Sequence, residues 1–261
     1  MSSSPFRNGQ DIALGIMCKA PIEGTCKTRL CPPLTPKEAA ALSRSFIADV
    51  AALVADVARS AACGLAIHAP TADGLEDLQD VLPDGLPLLV QRGADLGERL
   101  LHATQDLLAV GFAGVCFIGA DSPTLPAALL EQAVGELRRP GDRIVLGPAI
   151  DGGYYLLGLK RAHAELFRGV SWSSNLVLAQ TLCRIAGSRL PVTLLPLWYD
   201  VDDLASLQLL MHELFGADVP LSANGLVGSS AGQTSAHLRG LLLGEKGDRF
   251  GFPTRLVADR L

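Results

Sequence analysis

The sequence predicts an α/β protein: a doubly wound, mostly parallel sheet with helices packed on both faces. Three observations predict it. Short apolar runs alternate with stretches of helical spacing from Ile12 to Phe215. Some runs are apolar throughout, Val115-Cys116-Phe117-Ile118 above all, as in strands buried on both faces. Four unusual polar segments fall at predicted strand ends, where open α/β sheets bind their ligands.

The elements follow in order. Ile12 to Met17 is an apolar strand. Pro36 to Val57 has Ala- and Leu-rich helical spacing, with Thr35 as N-cap before a helix-starting proline. Leu65 to His68 and Leu88 to Val90 are short strands, and Leu96 to Leu108 is a helix that Asp95 can cap. Gly114 to Ile118 is a strand, Ala127 to Leu137 a helix, and Ile144 to Leu146 and Tyr155 to Leu159 are strands. Asn175 to Ile185 is a helix, with Ser173 a candidate N-cap and Trp172 a core, lid or ligand residue. Val192 to Leu195 is a strand, and Leu204 to Phe215 a helix. Residues 222–234 are rich in Gly, Ser and Ala and read as a linker. His237 to Leu243 reads as a last short helix in a loosely ordered end.

The chain divides into a polar leader over 1–10, one large domain over 11–221, and a linker with C-terminal tail over 222–261. An apolar content of 49 % suffices for a sizeable core, and no apolar run approaches the about 20 residues that span a bilayer. A net charge of −5 runs against a nucleic-acid partner, though not against a mononucleotide on a local basic patch. The six cysteines form no CxxC pair and no zinc spacing, and the expected compartment is a reducing cytoplasm. Cys26 and Cys31 flank a basic loop as ordinary loop residues or as thiols. The five histidines show no metal-ligand grouping.

Four segments carry the chemistry. After the first strand, Lys19, Lys27 and Arg29 surround a loop containing Pro21 and Gly24, a setting suited to polyphosphate or to a solvated basic loop. It is neither a P-loop nor a GxGxxG turn. After the strand at 88–90, Arg92 and Gly97 can line a nucleotide site, with Gly93 and Gly97 allowing close approach of a ligand. Asp121, in Gly119-Ala120-Asp121-Ser122-Pro123, stands where a hard cation would meet a phosphate; taken alone it reads as a turn residue or N-cap, and the three other polar segments at strand ends favour the cation. Between the strands at 144–146 and 155–159, Asp151, Gly152, Gly153 and Tyr154 form either an acceptor site or a hairpin turn. Last, Asp200, Asp202 and Asp203 crowd three carboxylates into four residues. Asp202 and Asp203 could cap the next helix, and Asp121 with Asp202 could hold Mg²⁺ or Mn²⁺.

Lys27-Thr28-Arg29-Leu30, Asp95-Leu96-Gly97-Glu98-Arg99, the Asp121 loop, Gly147-Pro148 with Asp151-Gly152-Gly153-Tyr154, and Asp200-Val201-Asp202 occur in one order. That order resembles the bacterial radical-SAM/selenodomain-associated transferases, a glycosyltransferase-like family. It is more distantly similar to the 2-phospho-L-lactate and molybdenum-cofactor guanylyltransferases. The resemblance spans Ile12 to Phe215 and implies the GT-A type, nucleotide-diphospho-sugar transferase fold, a Rossmann-like three-layer α/β/α sandwich. It also implies that Asp121 and Asp202 bind the metal and that Lys27 and Arg29 hold phosphates. Pro21-Ile22-Glu23-Gly24 departs from the Gly-rich first loop of the sugar-nucleotide pyrophosphorylases, so base recognition does not carry over.

Three functions follow as expectations. The first is Mg²⁺-dependent nucleotidyl transfer from a nucleoside triphosphate to a phosphorylated small acceptor, with Lys27, Arg29 and Asp121 as the catalytic groups. The second is glycosyl transfer from a nucleotide-sugar, with Asp151 as base. The third is a nucleotide-binding module without catalysis. The crowding of Lys19, Lys27 and Arg29 tilts the balance toward the triphosphate. A homodimer is compatible with the sequence but not specified by it.

Overall fold

The computed structural model describes residues 12–68, 75–216, 226–244 and 246–258. The expected leader over 1–10 and the start of the expected linker lie outside them. The described chain runs β1 (Ile12–Cys18), α1 (Pro36–Ala61), β2 (Ala62–His68), α2 (Leu75–Gln79), β3 (Leu88–Val90), α3 (Leu96–Ala109), β4 (Gly114–Gly119) and α4 (Ala127–Arg138). It continues β5 (Ile144–Pro148), β6 (Tyr154–Leu159), α5 (Val177–Ser188), β7 (Val192–Leu194), α6 (Leu204–Phe215), α7 (Gly232–Leu243) and α8 (Arg255–Ala258). Among the described residues no helix is long and apolar enough to cross a membrane.

The sheet has the order β3-β2-β1-β4-β6-β5-β7. Alternation along the strands builds a core on each face. Ile12, Leu14 and Ile16 of β1 and Cys116 and Ile118 of β4 face one core, shared with Leu42 and Phe46 of α1, Leu130 of α4 and Leu207 of α6. Ala13 of β1 and Val115 and Phe117 of β4 face the other, shared with Leu100 and Leu107 of α3 and Ile185 of α5. This is the expected three-layer sandwich, and burial on both faces explains why 115–118 is apolar throughout.

One strand runs against the rest. β6 is antiparallel to both β4 and β5, whereas the other pairings are parallel. The turn between β5 and β6 is too short for a parallel crossover, which takes a dozen or more residues. Gly152-Gly153 therefore does sit in a hairpin connection. Because β6 points the opposite way, its first residue lies beside the last residues of β5 and near the carboxyl ends of β1 and β4.

Local caps set several helix starts. Thr35 Oγ1 accepts from the Glu38 N–H while Glu38 Oε2 accepts from the Thr35 N–H, a reciprocal capping box on α1. Asp95 Oδ1 accepts from the Glu98 N–H at 2.8 Å and caps α3. Ser173 does not cap α5. Its φ is +63° and the helix begins later, after Leu176, with no side-chain cap.

The described residues of the expected tail, 226–244 and 246–258, pack on the domain. Helix α7 begins at Gly232, inside the segment read as linker, and docks on α1. Its cap comes from a distant residue: Asp49 accepts from the Gln233 and Thr234 N–H groups at 3.0 and 2.7 Å. Leu238, Leu242, Phe250, Phe252 and Val257 are buried in the α1-side core. Arg249 of this segment meets Glu38 at 2.6 Å.

Candidate active site

Five loops meet at the carboxyl edge of the sheet. The loop after β1 ends in a 3-10 turn at Thr28–Leu30, and Lys27 before it has φ +50°. The Lys27 side chain is only 4 % exposed, with its ammonium 2.6 Å from Asp121 Oδ1 and 2.9 Å from Asp202 Oδ1. It also donates to the Val201 carbonyl at 2.7 Å, so three oxygens serve its three protons. The Phe46 ring lies 5.5 Å away. Burial alone would lower the Lys27 pKa, but the facing Asp121 and Asp202 carboxylates outweigh it and hold the ammonium above its usual value.

Asp121 and Asp202 come from different loops, and backbone pairing aligns them. The Val201 N–H donates to the Asp121 carbonyl at 2.9 Å, and Ser122 Oγ donates to the Tyr199 carbonyl at 2.8 Å. Behind them, Tyr199 Oη and Thr124 Oγ1 both donate to Glu213 of α6. The C-terminal segment backs this network, with the Ser229 N–H donating to the Thr124 carbonyl at 2.9 Å. Asp121 is therefore not a helix cap; α4 starts after Pro126. Asp203, not Asp202, caps α6, in a capping box with Ser206. That leaves Asp202 facing Lys27, with its second oxygen 3.2 Å from Arg29 Nη2.

Two cavities share the wall formed by Asp121, Asp202 and Arg29. The first, about 280 Å³, lies toward Lys19, Lys27 and Arg99. The second, about 490 Å³, lies toward Asp151, Gly153, Tyr154, Trp172 and Asp200. Asp151 Oδ1 accepts the Gly153 N–H at 2.7 Å. Asp200 is pushed up to about 6 by burial first, then by the charges of Asp151, Asp202 and Asp121. Among the described residues, no three His, Cys, Asp or Glu side chains form a ready-made metal cage.

The sequence expectations divide at this point. Lys19, Lys27, Arg29, Asp121 and Asp202 gather around the first cavity, and Asp151, Gly153 and Tyr154 around the second. Arg92 and Gly97 line neither. Arg92 turns away to Asp106 at 2.7 Å, and Gly97 is covered by protein. A methyl group on Gly97 would stand 2.6 Å from Trp172 Cζ2, so the glycine admits an indole rather than a ligand. Gly93 likewise makes room for Glu98 and Arg99. Gly152, at φ +90°, passes so close to the Asn175 backbone that only glycine fits. Arg99, Asp200 and Trp172 also line the cavities, without an expected site role for the first two. Arg99 closes the Asp95–Arg99 motif and Asp200 opens the acidic cluster, but Trp172 reaches the site only through tertiary packing. The expectation that the sequence holds no GxSxG pattern is wrong: Gly228-Ser229-Ser230-Ala231-Gly232 spells one, but residues 226–230 form no strand, so it is not a strand-to-helix nucleophile turn.

Comparison with known proteins agrees with the architecture. The profile of a family described as an uncharacterized protein conserved in bacteria (DUF2064) matches residues 53–174. A protein from Desulfovibrio desulfuricans G20, provisionally described as a nucleotide-diphospho-sugar transferase, has a solved structure 28 % identical to this chain. It superposes with a TM-score of 0.76 over 96 % of this chain and 98 % of that one. A CMP:2-keto-3-deoxy-manno-octonic acid synthetase solved with CTP shares the fold at 13 % identity and a TM-score of 0.50, over 76 % of this chain and 96 % of its own. A cytidylyltransferase from Leptospira borgpetersenii does so at 10 % identity and a TM-score of 0.50, over 89 % and 94 %. No protein of curated function matches the sequence. The fold is that of the nucleotide-diphospho-sugar transferases.

Proposed function

We propose that the protein is a divalent-metal-dependent enzyme that transfers a group from a nucleotide to a small acceptor. The observation that carries this reading is the convergence of Asp121 and Asp202 on one point in the wall shared by two cavities. Their oxygens approach a single nitrogen at 2.6 and 2.9 Å, so the pair can bracket one cation. Mg²⁺ and Mn²⁺ take oxygen ligands, and Mg²⁺ in particular is usually held by one or two carboxylates plus substrate phosphates. Such an ion would offset charge on the phosphates and stabilise the departing nucleotide.

Lys19, Lys27, Arg29 and Arg99 are the cations around the first cavity, which makes it the nucleotide side. The second cavity is the acceptor side. Asp121, Asp151, Asp200 and Asp202 line it, and Arg29 is the one cation among its lining residues. Even with Asp121 and Asp202 turned to a metal, Asp151 and Asp200 would disfavour a phosphorylated acceptor there, whereas a hydroxylated one finds carboxylates and aromatic surface from Tyr154 and Trp172. That lining favours glycosyl transfer from a nucleotide-diphospho-sugar over nucleotidyl transfer to a phosphorylated acceptor. Asp151 and Asp200 are the candidate bases. The narrower likeness to the radical-SAM/selenodomain-associated transferases rests on the motifs and fits this reading.

The test is product analysis with panels of nucleotide-sugars and nucleoside triphosphates, with Mg²⁺ or EDTA, on the native protein and Asp121→Ala. Metal-dependent release of nucleoside diphosphate from a nucleotide-sugar, lost in the variant, supports the proposal. Pyrophosphate release from a triphosphate returns the nucleotidyl reading. Nucleotide binding without metal-dependent turnover leaves a binding module.

A further inference from the structure

We propose that Lys27 guards the Asp121–Asp202 pair: its ammonium occupies the point a divalent cation would take, so metal enters only when a nucleotide's phosphates draw Lys27 away. The inference rests on the metal-dependent reading above and adds an order of binding to it.

The geometry carries it. One oxygen from each carboxylate points at the same nitrogen, at 2.6 and 2.9 Å. The other Asp202 oxygen is already near Arg29. Two carboxylates therefore face two cations, and a dication arriving at this point would meet an ammonium at contact range. Repulsion of that kind falls off slowly where water is scarce, and Lys27 is almost wholly withdrawn from water. A phosphate group changes the balance. Lys27 also lines the first cavity, so phosphate oxygens entering beside it offer the ammonium new acceptors. The carboxylates are then released to hold the metal, with the phosphates as its remaining ligands. By linkage, the metal raises nucleotide affinity by the same factor as the nucleotide raises metal affinity.

A lysine that only staples the loops would behave differently, since its removal would weaken the fold without creating a cation site. The experiment is titration of the nucleotide-free protein with Mn²⁺, counting free ion by electron paramagnetic resonance. The native protein is expected to bind Mn²⁺ weakly. Lys27→Met, which keeps an unbranched apolar stem beside Phe46, is expected to bind it about 10- to 100-fold more tightly, the usual range of coupling between sites. Asp202→Asn added to that variant is expected to remove the gain. Equal Mn²⁺ affinity in the native protein and Lys27→Met overturns the proposal. So does micromolar Mn²⁺ binding by the native protein alone, a result that stands even if the variant does not fold. A panel of nucleoside diphosphates added to the native protein separates the two ideas. Protein-bound Mn²⁺ that forms only with nucleotide supports the guard, and Mn²⁺ bound under neither condition removes the metal reading along with it.

Discussion

Lys27 and Asp202 stand 175 positions apart in the chain, yet the ammonium of one lies 2.9 Å from the carboxylate of the other. Their meeting ties the loop after β1 to the loop before α6, with Asp121 as the third member. Removal of either carboxylate takes a partner from the buried Lys27 ammonium, and removal of Lys27 leaves two part-exposed carboxylates facing one point.

Asp121→Asn is therefore expected to affect both turnover and stability. Asp121 is 45 % exposed and Asp202 remains to pair with Lys27, so the destabilisation is about 1 kcal/mol, well below that of breaking a fully buried pair. Turnover is expected to fall about a hundredfold or more, as for loss of a principal charge-stabilising group. Urea unfolding and steady-state kinetics on the same preparation check both parts.

Gly97→Ala is expected to cost about 1–3 kcal/mol, because the new methyl meets the Trp172 ring and must push it aside. Trp172→Phe should restore much of that loss when combined with it, as expected for two residues in contact. Unfolding midpoints of the four proteins complete the cycle; additive losses would show that the contact does not limit the position.

Glu38 provides a pH dependence. Burial would raise its carboxyl, but Arg249 and the Thr35 backbone and hydroxyl hold it at about 2, below the usual 4.5. A folded-state pKa below the unfolded one means that the unfolded chain binds more protons between the two values. The contribution is thus full above about 4.5 and is lost as pH falls toward 2. Denaturant midpoints of the native protein should drop across that window more steeply than those of Glu38→Gln.

Asp49→Ala is expected to uncap α7 at a cost of about 1 kcal/mol. Amide exchange over residues 232–243 should quicken while nucleotide binding changes little, since Asp49 lies outside both cavities. Unchanged exchange would mean that apolar contacts of Leu238 and Leu242 hold the helix without its cap.

Much of the architecture was legible in the sequence because it depends on neighbours. The βα alternation, the doubly buried run 115–118 and the caps at Thr35, Asp95 and Asp203 all follow from periods of two or 3.6 and from three-residue reach. Asp121 could be singled out because a strand's end and its loop are adjacent in the chain. The short β5–β6 connection also forbade a parallel β6, although the expected sheet did not use that constraint. Tertiary structure alone decided the rest. It turned Lys27 to two carboxylates, set Trp172 on Gly97, sent Arg92 to Asp106, and capped α7 with Asp49. Apart from the local Arg92 pair, each of these joins residues far apart in sequence. Periodicity identifies which face of an element is buried, but packing chooses the side chain it meets.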